Sequence, residues 1–161
     1  GAVVLPADLD VDGPYGWTRS ALMNELHAIV ALDQLDLLSE MVDRRNRNAD
    51  LYADAAARLG LDHQRTRPGA RHSWVHFVLR IPGGASERNR VAAALAGLGV
   101  GTKEYFVPLH TDSAVASVQV DGPALDVTDL LGQECLAVPM SSELNDEAID
   151  RICIAIEHAL G

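Results

Sequence analysis

The stretch from Ser20 to Leu59 limits the possible folds more than any other part of the chain. Leu22, Leu26, Ile29 and Val30 share one face at helical spacing, and Leu35, Leu38, Met41 and Val42 carry that face onward. Farther along, Val42, Ala49, Tyr52, Ala56 and Leu59 line up again, and Gly60 supplies a stop. Ser20 suits an N-cap, with Glu25 in the early turns. The pattern predicts a long helix over 20–59, bent midway.

The remainder alternates between short apolar runs and helical patterns. Gly1 to Leu5 reads as a buried strand, and Ala7 to Gly16 as a loop broken by Gly13, Pro14 and Gly16. His72 to Ile81 alternates as a strand before Pro82-Gly83-Gly84. Ser86 is placed to cap a helix to Leu98, with Val91, Ala94, Leu95 and Leu98 inward and Gly99 closing it. A strand is expected from Val100 to Tyr105, an exposed loop from Thr111 to Asp126, a short helix from Val127 to Cys135 and a strand at Leu136-Ala137-Val138. Asn145 should cap the last helix, whose core face is Ile149, Ile152, Cys153 and Ile156. Few strands among several helices imply an α+β fold: a small, mainly antiparallel sheet with packed helices and one long N-terminal helix.

Composition removes some function classes. A net charge of −10 argues against nucleic acid as a partner, because phosphate contacts need clustered Lys and Arg. The one basic cluster, Arg44-Arg45-Asn46-Arg47, sits beside Asp43 and Asp50 and reads as a solvated helix face. No apolar run approaches the ~20 residues of a membrane span, and no signal peptide is recognisable, so a cytoplasmic protein is expected. Cys135 and Cys153 lie in apolar runs and read as buried free thiols. No metal site is expected. His72 and His76 fall on a strand, where residues four apart are ~13 Å distant. No dinucleotide, Walker or serine-nucleophile motif occurs.

Three blocks, in order, carry a more specific signal. The first is Met23-Asn24-Glu25-Leu26-His27-Ala28 with Gln34-Leu35. The second runs from Gly99-Val100-Gly101-Thr102 through Tyr105-Phe106-Val107-Pro108-Leu109-His110. The third is Cys135-Leu136-Ala137-Val138-Pro139-Met140 followed by Leu144-Asn145-Asp146-Glu147. From about Gly16 onward they resemble the C-terminal portion of the DegT/DnrJ-type sugar aminotransferases, pyridoxal-phosphate enzymes of fold type I.

That resemblance implies the C-terminal domain of a fold type I aminotransferase. Residues 1–19 would be a remnant strand and loop of the large domain, and 20–161 the long helix plus the small domain. In its complete form the protein would transfer an amino group from glutamate or glutamine to a keto-sugar or cyclitol, of the kind used in sugar and antibiotic biosynthesis. The family holds its cofactor on a lysine well upstream of the long helix. The single lysine here, Lys103, lies downstream, so this chain is expected to supply no catalytic residue and to bind pyridoxal phosphate only non-covalently. Arg19 and Ser20 stand where the family's loop reaches the cofactor phosphate, although the family's own Asn and Arg would fall on Ser20 and Leu22. Tyr105 and His110 are the expected substrate-binding residues, since a phenol or an imidazole can bind sugar hydroxyls or diphosphate. Partners would be a nucleotide-sugar or cyclitol substrate and either a second copy, giving a homo-oligomer, or a separate large-domain chain. The alternative is a stand-alone, non-catalytic partner or binding domain of a split or decayed aminotransferase.

Overall fold

The computed structural model describes residues 23–112 and 122–161. The chain divides into two compact units, Gly1–Ser39 and Glu40–Gly161. Helix α1 runs from Glu25 to Arg58. Asn24 starts it, its Oδ1 accepting the His27 N–H at 2.9 Å. In the first unit the large apolar side chains of α1 are exposed, Leu26 at 75 % and Ile29 at 63 %.

The second unit holds a three-stranded antiparallel sheet in the order β1-β2-β3. The strands are β1 (Asp62–His63), β2 (Phe77–Arg80) and β3 (Cys135–Val138). Three helices accompany the second half of α1: α2 (Gly84–Gly97), α3 (Asp126–Glu134) and α4 (Asp146–Leu160). This is the α+β arrangement expected from the sequence.

The core forms where period-2 and period-3.6 faces meet. Phe77 and Leu79 point inward from β2, while Val78 and Arg80 alternate outward. Phe77 pairs in register with Val138, and Arg80 with Cys135. Tyr52 of α1 lies tilted against Phe77 with centroids 5.1 Å apart, and its hydroxyl donates to the Pro139 carbonyl at 2.8 Å. Ile81, Val91, Leu95, Leu136 and Ile149 complete the set of large, fully buried side chains. Asn145 caps α4 as anticipated, accepting the Ala148 N–H at 2.9 Å.

Several expectations need correction. The strand expected over 72–81 is confined to Phe77–Arg80, because Trp74 adopts φ 45° and breaks the extended run. Trp74 is held there by its indole N–H on Asn46 Oδ1 and its backbone N–H on His72 Nδ1. The strand expected from Val100 to Tyr105 reduces to one antiparallel bridge between Lys103 and Ala137. Leu98 is half-exposed on the far side of the helix end rather than core. Cys135 and Cys153 are free but only half-buried, and partial burial pushes both thiols up from their ordinary value. The two-residue strand β1 is too short for a sequence pattern to reveal. Residues 1–22 and 113–121, which include the expected first strand and most of the expected 111–126 loop, lie outside the described residues.

Candidate functional site: the edge from Glu104 to Thr111

After α2 the chain reverses at Gly99, whose φ of 78° suits glycine, and Val100 tucks into the core. Lys103 then exchanges two backbone hydrogen bonds with Ala137, at 3.0 and 2.8 Å. The neighbouring Glu104 carboxylate meets Nη2 of the buried Arg88 at 2.9 Å. Arg88 also donates from Nη1 to the Gly132 carbonyl at 3.0 Å. These bonds tie the segment to both β3 and α3.

Tyr105 lies between two rings, with His76 at 4.4 Å and Phe106 at 4.7 Å. Lys103 Nζ stands 5.7 Å from the Tyr105 centroid, within cation–π range. Pro108 then leads into a 3₁₀ turn, Leu109–Thr111, closed by the Thr111 N–H and hydroxyl on the Pro108 carbonyl at 2.9 and 2.8 Å. His110 in that turn bonds through Nε2 to Asp129 Oδ1 of α3 at 2.8 Å.

Both expected substrate-side residues therefore sit on one irregular, half-buried edge. Among the described residues the Tyr105 hydroxyl makes no hydrogen bond. Phe106 and Leu109 of the same segment are more than 70 % exposed. Arg19 and Ser20, the expected cofactor-phosphate residues, lie outside the described residues.

Lys103 does not fit the role of cofactor lysine. It is exposed, on a sheet edge, with its ammonium over a tyrosine face rather than in an enclosed pocket. No step through pyridoxal phosphate follows from the described residues. His72 and His76 serve different clusters, His72 against Trp74 and His76 against Tyr105. No group of three or more metal-ligating side chains occurs among the described residues.

Sequence reasoning missed Glu134, Asp129, Arg88 and Gly132. Glu134 is the most consequential for the scaffold. Its buried carboxylate accepts the N–H groups of Gly83 at 3.0 Å and Gly84 at 3.3 Å and takes Arg80 Nε at 2.6 Å. It thereby caps α2, the role expected of Ser86. Gly83 and Gly84, at φ 117° and 76°, give the turn that exposes those two donors. The Arg80 hydrogen bond, then the Gly83 N–H, hold the Glu134 carboxyl below its ordinary value of 4.5. A Glu near the end of a short helix carries no local signal of this role, because its partners lie about fifty residues away.

The family model for the DegT/DnrJ/EryC1/StrS aminotransferase family matches residues 18–157. Over 143 residues the chain is 27 % identical to a GDP-perosamine synthase of Caulobacter vibrioides, covering 86 % of this chain and 38 % of that protein. Over 96 residues it is 35 % identical to an L-glutamine:scyllo-inosose aminotransferase of Streptomyces griseus, covering 56 % and 23 %. The crystal structure of the aminotransferase TlmJ from Streptoalloteichus hindustanus superimposes with a TM-score of 0.75 at 26 % identity, over 86 % of this chain and 37 % of that one. The chain thus spans well under half the length of these relatives. Members of the family depend on pyridoxal phosphate. Among the described residues no helix is long and apolar enough to cross a membrane. This chain belongs to the DegT/DnrJ/EryC1/StrS aminotransferase family.

Proposed function

We propose that this chain is the C-terminal part of a pyridoxal-phosphate-dependent sugar or cyclitol aminotransferase. Residues 1–19 end the large domain, and 20–161 form the long helix and the small domain. The complete protein moves an amino group from glutamate or glutamine to the carbonyl of a nucleotide-linked keto-sugar or a keto-cyclitol. Pyridoxal phosphate, when bound, supplies the electron sink for that transfer. Tyr105 and His110 lie at the substrate edge, the phenol and imidazole hydrogen-bonding hydroxyls or a diphosphate.

The observation that carries this reading is the family match over 18–157 combined with the 104–111 edge, where two hydrogen-bonding side chains stand beside exposed apolar ones. The test is kinetic. The full gene product should aminate one of the two ketone classes, seen as a mass change with glutamine or glutamate as donor. Tyr105→Phe should lower kcat/KM by about 10-fold, the scale of one lost hydrogen bond to substrate. Wild-type kinetics in that variant would remove Tyr105 from the substrate edge.

A second reading, a non-catalytic partner of a complete aminotransferase, draws on the exposed position of Lys103. It requires that the purified chain, mixed with pyridoxal phosphate and reduced with borohydride, gain no stoichiometric adduct. It also requires that the chain alter the activity of a complete relative when added to it.

A further inference from the structure

We propose that Asp129 and Gly132 of α3 are positioning residues. Together they hold His110 in one place and one tautomer, so that its Nδ1 faces outward as a hydrogen-bond acceptor for a ligand hydroxyl. The inference rests on the reading of the 104–111 edge as a substrate edge, and deepens it by naming the atom that takes the hydroxyl.

The geometry contains two independent restraints. The first is the 2.8 Å bond between His110 Nε2 and Asp129 Oδ1. A carboxylate oxygen can only accept, so the proton must sit on Nε2. A neutral imidazole carries one N–H, so Nδ1 keeps its lone pair. Among the described residues nothing bonds to Nδ1, and the His110 side chain is 22 % exposed. The ring is therefore held through Nε2 and keeps an unused acceptor at Nδ1.

The second restraint is steric. A Cβ added at Gly132 would meet Pro108 Cγ at 2.6 Å and Cδ at 2.8 Å, closer than carbon atoms approach. Glycine alone lets the proline ring lie on the helix backbone. Asp129 and Gly132 are three apart on α3, hence on neighbouring positions of one face, and they touch Pro108 and His110 at the two ends of one short turn. Arg88 extends the clamp, bonding the Gly132 carbonyl on one side and Glu104 on the other. The edge is thus pinned at Glu104, Pro108 and His110. Only the stretch Tyr105-Phe106-Val107 is left to project between pins, with Phe106 71 % exposed.

The test is a ring-nitrogen magnetic resonance spectrum of the histidine-labelled chain under alkaline conditions, where the imidazoles are neutral. His110 should show a protonated Nε2 and a bare Nδ1. Asp129→Ala should give a mixture of tautomers. Gly132→Ala should displace the turn and raise amide exchange at Thr111 and Asp112 by about 10-fold, the equivalent of roughly 1.4 kcal/mol of lost protection. Adding Pro108→Ala to Gly132→Ala removes the overlapping carbons and should return the exchange rates toward wild type. Such a rescue separates displacement of the turn from general misfolding. Titration of the wild-type chain with myo-inositol should move the Nδ1 resonance, and the Asp129→Ala chain should respond less. A proton on Nδ1 or an even mixture in the wild type, or unchanged exchange in Gly132→Ala, would overturn the positioning role. That result leaves the substrate edge to its own kinetic test. A correct tautomer whose Nδ1 ignores the cyclitol would overturn the hydroxyl assignment. The Tyr105→Phe kinetics then show whether the edge binds substrate by another atom.

Discussion

The two halves of α1 carry similar numbers of apolar residues and end in opposite circumstances. In Glu40–Arg58 the inward positions are Asn48, Ala49, Tyr52, Ala55 and Ala56, each 3 % exposed or less. In the first unit Leu26, Ile29, Val30, Leu32, Leu35 and Leu38 are all half-exposed or more. The covered half uses small residues with one large ring, which lets the helix backbone approach the sheet. Asn48 Nδ2 then reaches the Ser141 and Leu144 carbonyls, at 3.0 and 3.3 Å. The bare half uses large branched side chains, and at 100° per residue Leu32 spreads the apolar surface beyond the single face expected from the sequence. An apolar surface of this size ordinarily has a partner, and the proposed homo-oligomer or large domain would supply it.

The contrast can be broken most sharply at Tyr52. Tyr52→Ala empties the space against Phe77 and removes the bond to Pro139, and should cost about 3–5 kcal/mol in urea unfolding. A loss below ~1 kcal/mol would mean that the covered half is no better packed than the bare one.

The next test acts on the covered unit without touching α1. Glu134 has a folded pKa below its ordinary 4.5, so its ion pair and caps contribute stability that is fully present above about that pH. The contribution is lost as the pH falls through the depressed folded value. Unfolding followed across the acid range should show Glu134→Gln closing its gap to the wild type as the pH drops. A gap that stays constant down to strong acid would show that the carboxylate charge is not what caps α2.

The smallest effect on stability is expected in the bare half. Leu26→Glu should change unfolding by less than ~0.5 kcal/mol, since the side chain is already exposed. The same variant should weaken self-association at least ~10-fold by light scattering, because a charge would enter an apolar contact. A wild-type chain that is strictly monomeric at micromolar concentration would remove the second copy as the occupant of that surface.

What was legible in the chain followed local periodicity. The long helix, α2, α3, β3 and α4 all lie close to their expected positions, because apolar spacing, Asn145 and the glycine stops act over a few residues. The Tyr105–His110 turn was visible as a pattern along the chain. The strand at 100–105 was misread because alternation cannot show whether a neighbour offers a ladder. Here Ala137 offers a single bridge.

The amino-acid order by itself therefore determined which segments are helical, the α+β class and membership of the aminotransferase family, since each is encoded in spacing along the chain. Only the tertiary structure decided which half of α1 is covered, that Glu134 rather than Ser86 caps α2, and that Asp129 faces His110. Those pairings join residues from 19 to about 50 positions apart, and no local rule of spacing reaches that far. They depend on how α3 packs beside the α2 turn and the 104–111 edge, where burial leaves a charged group few partners to choose from.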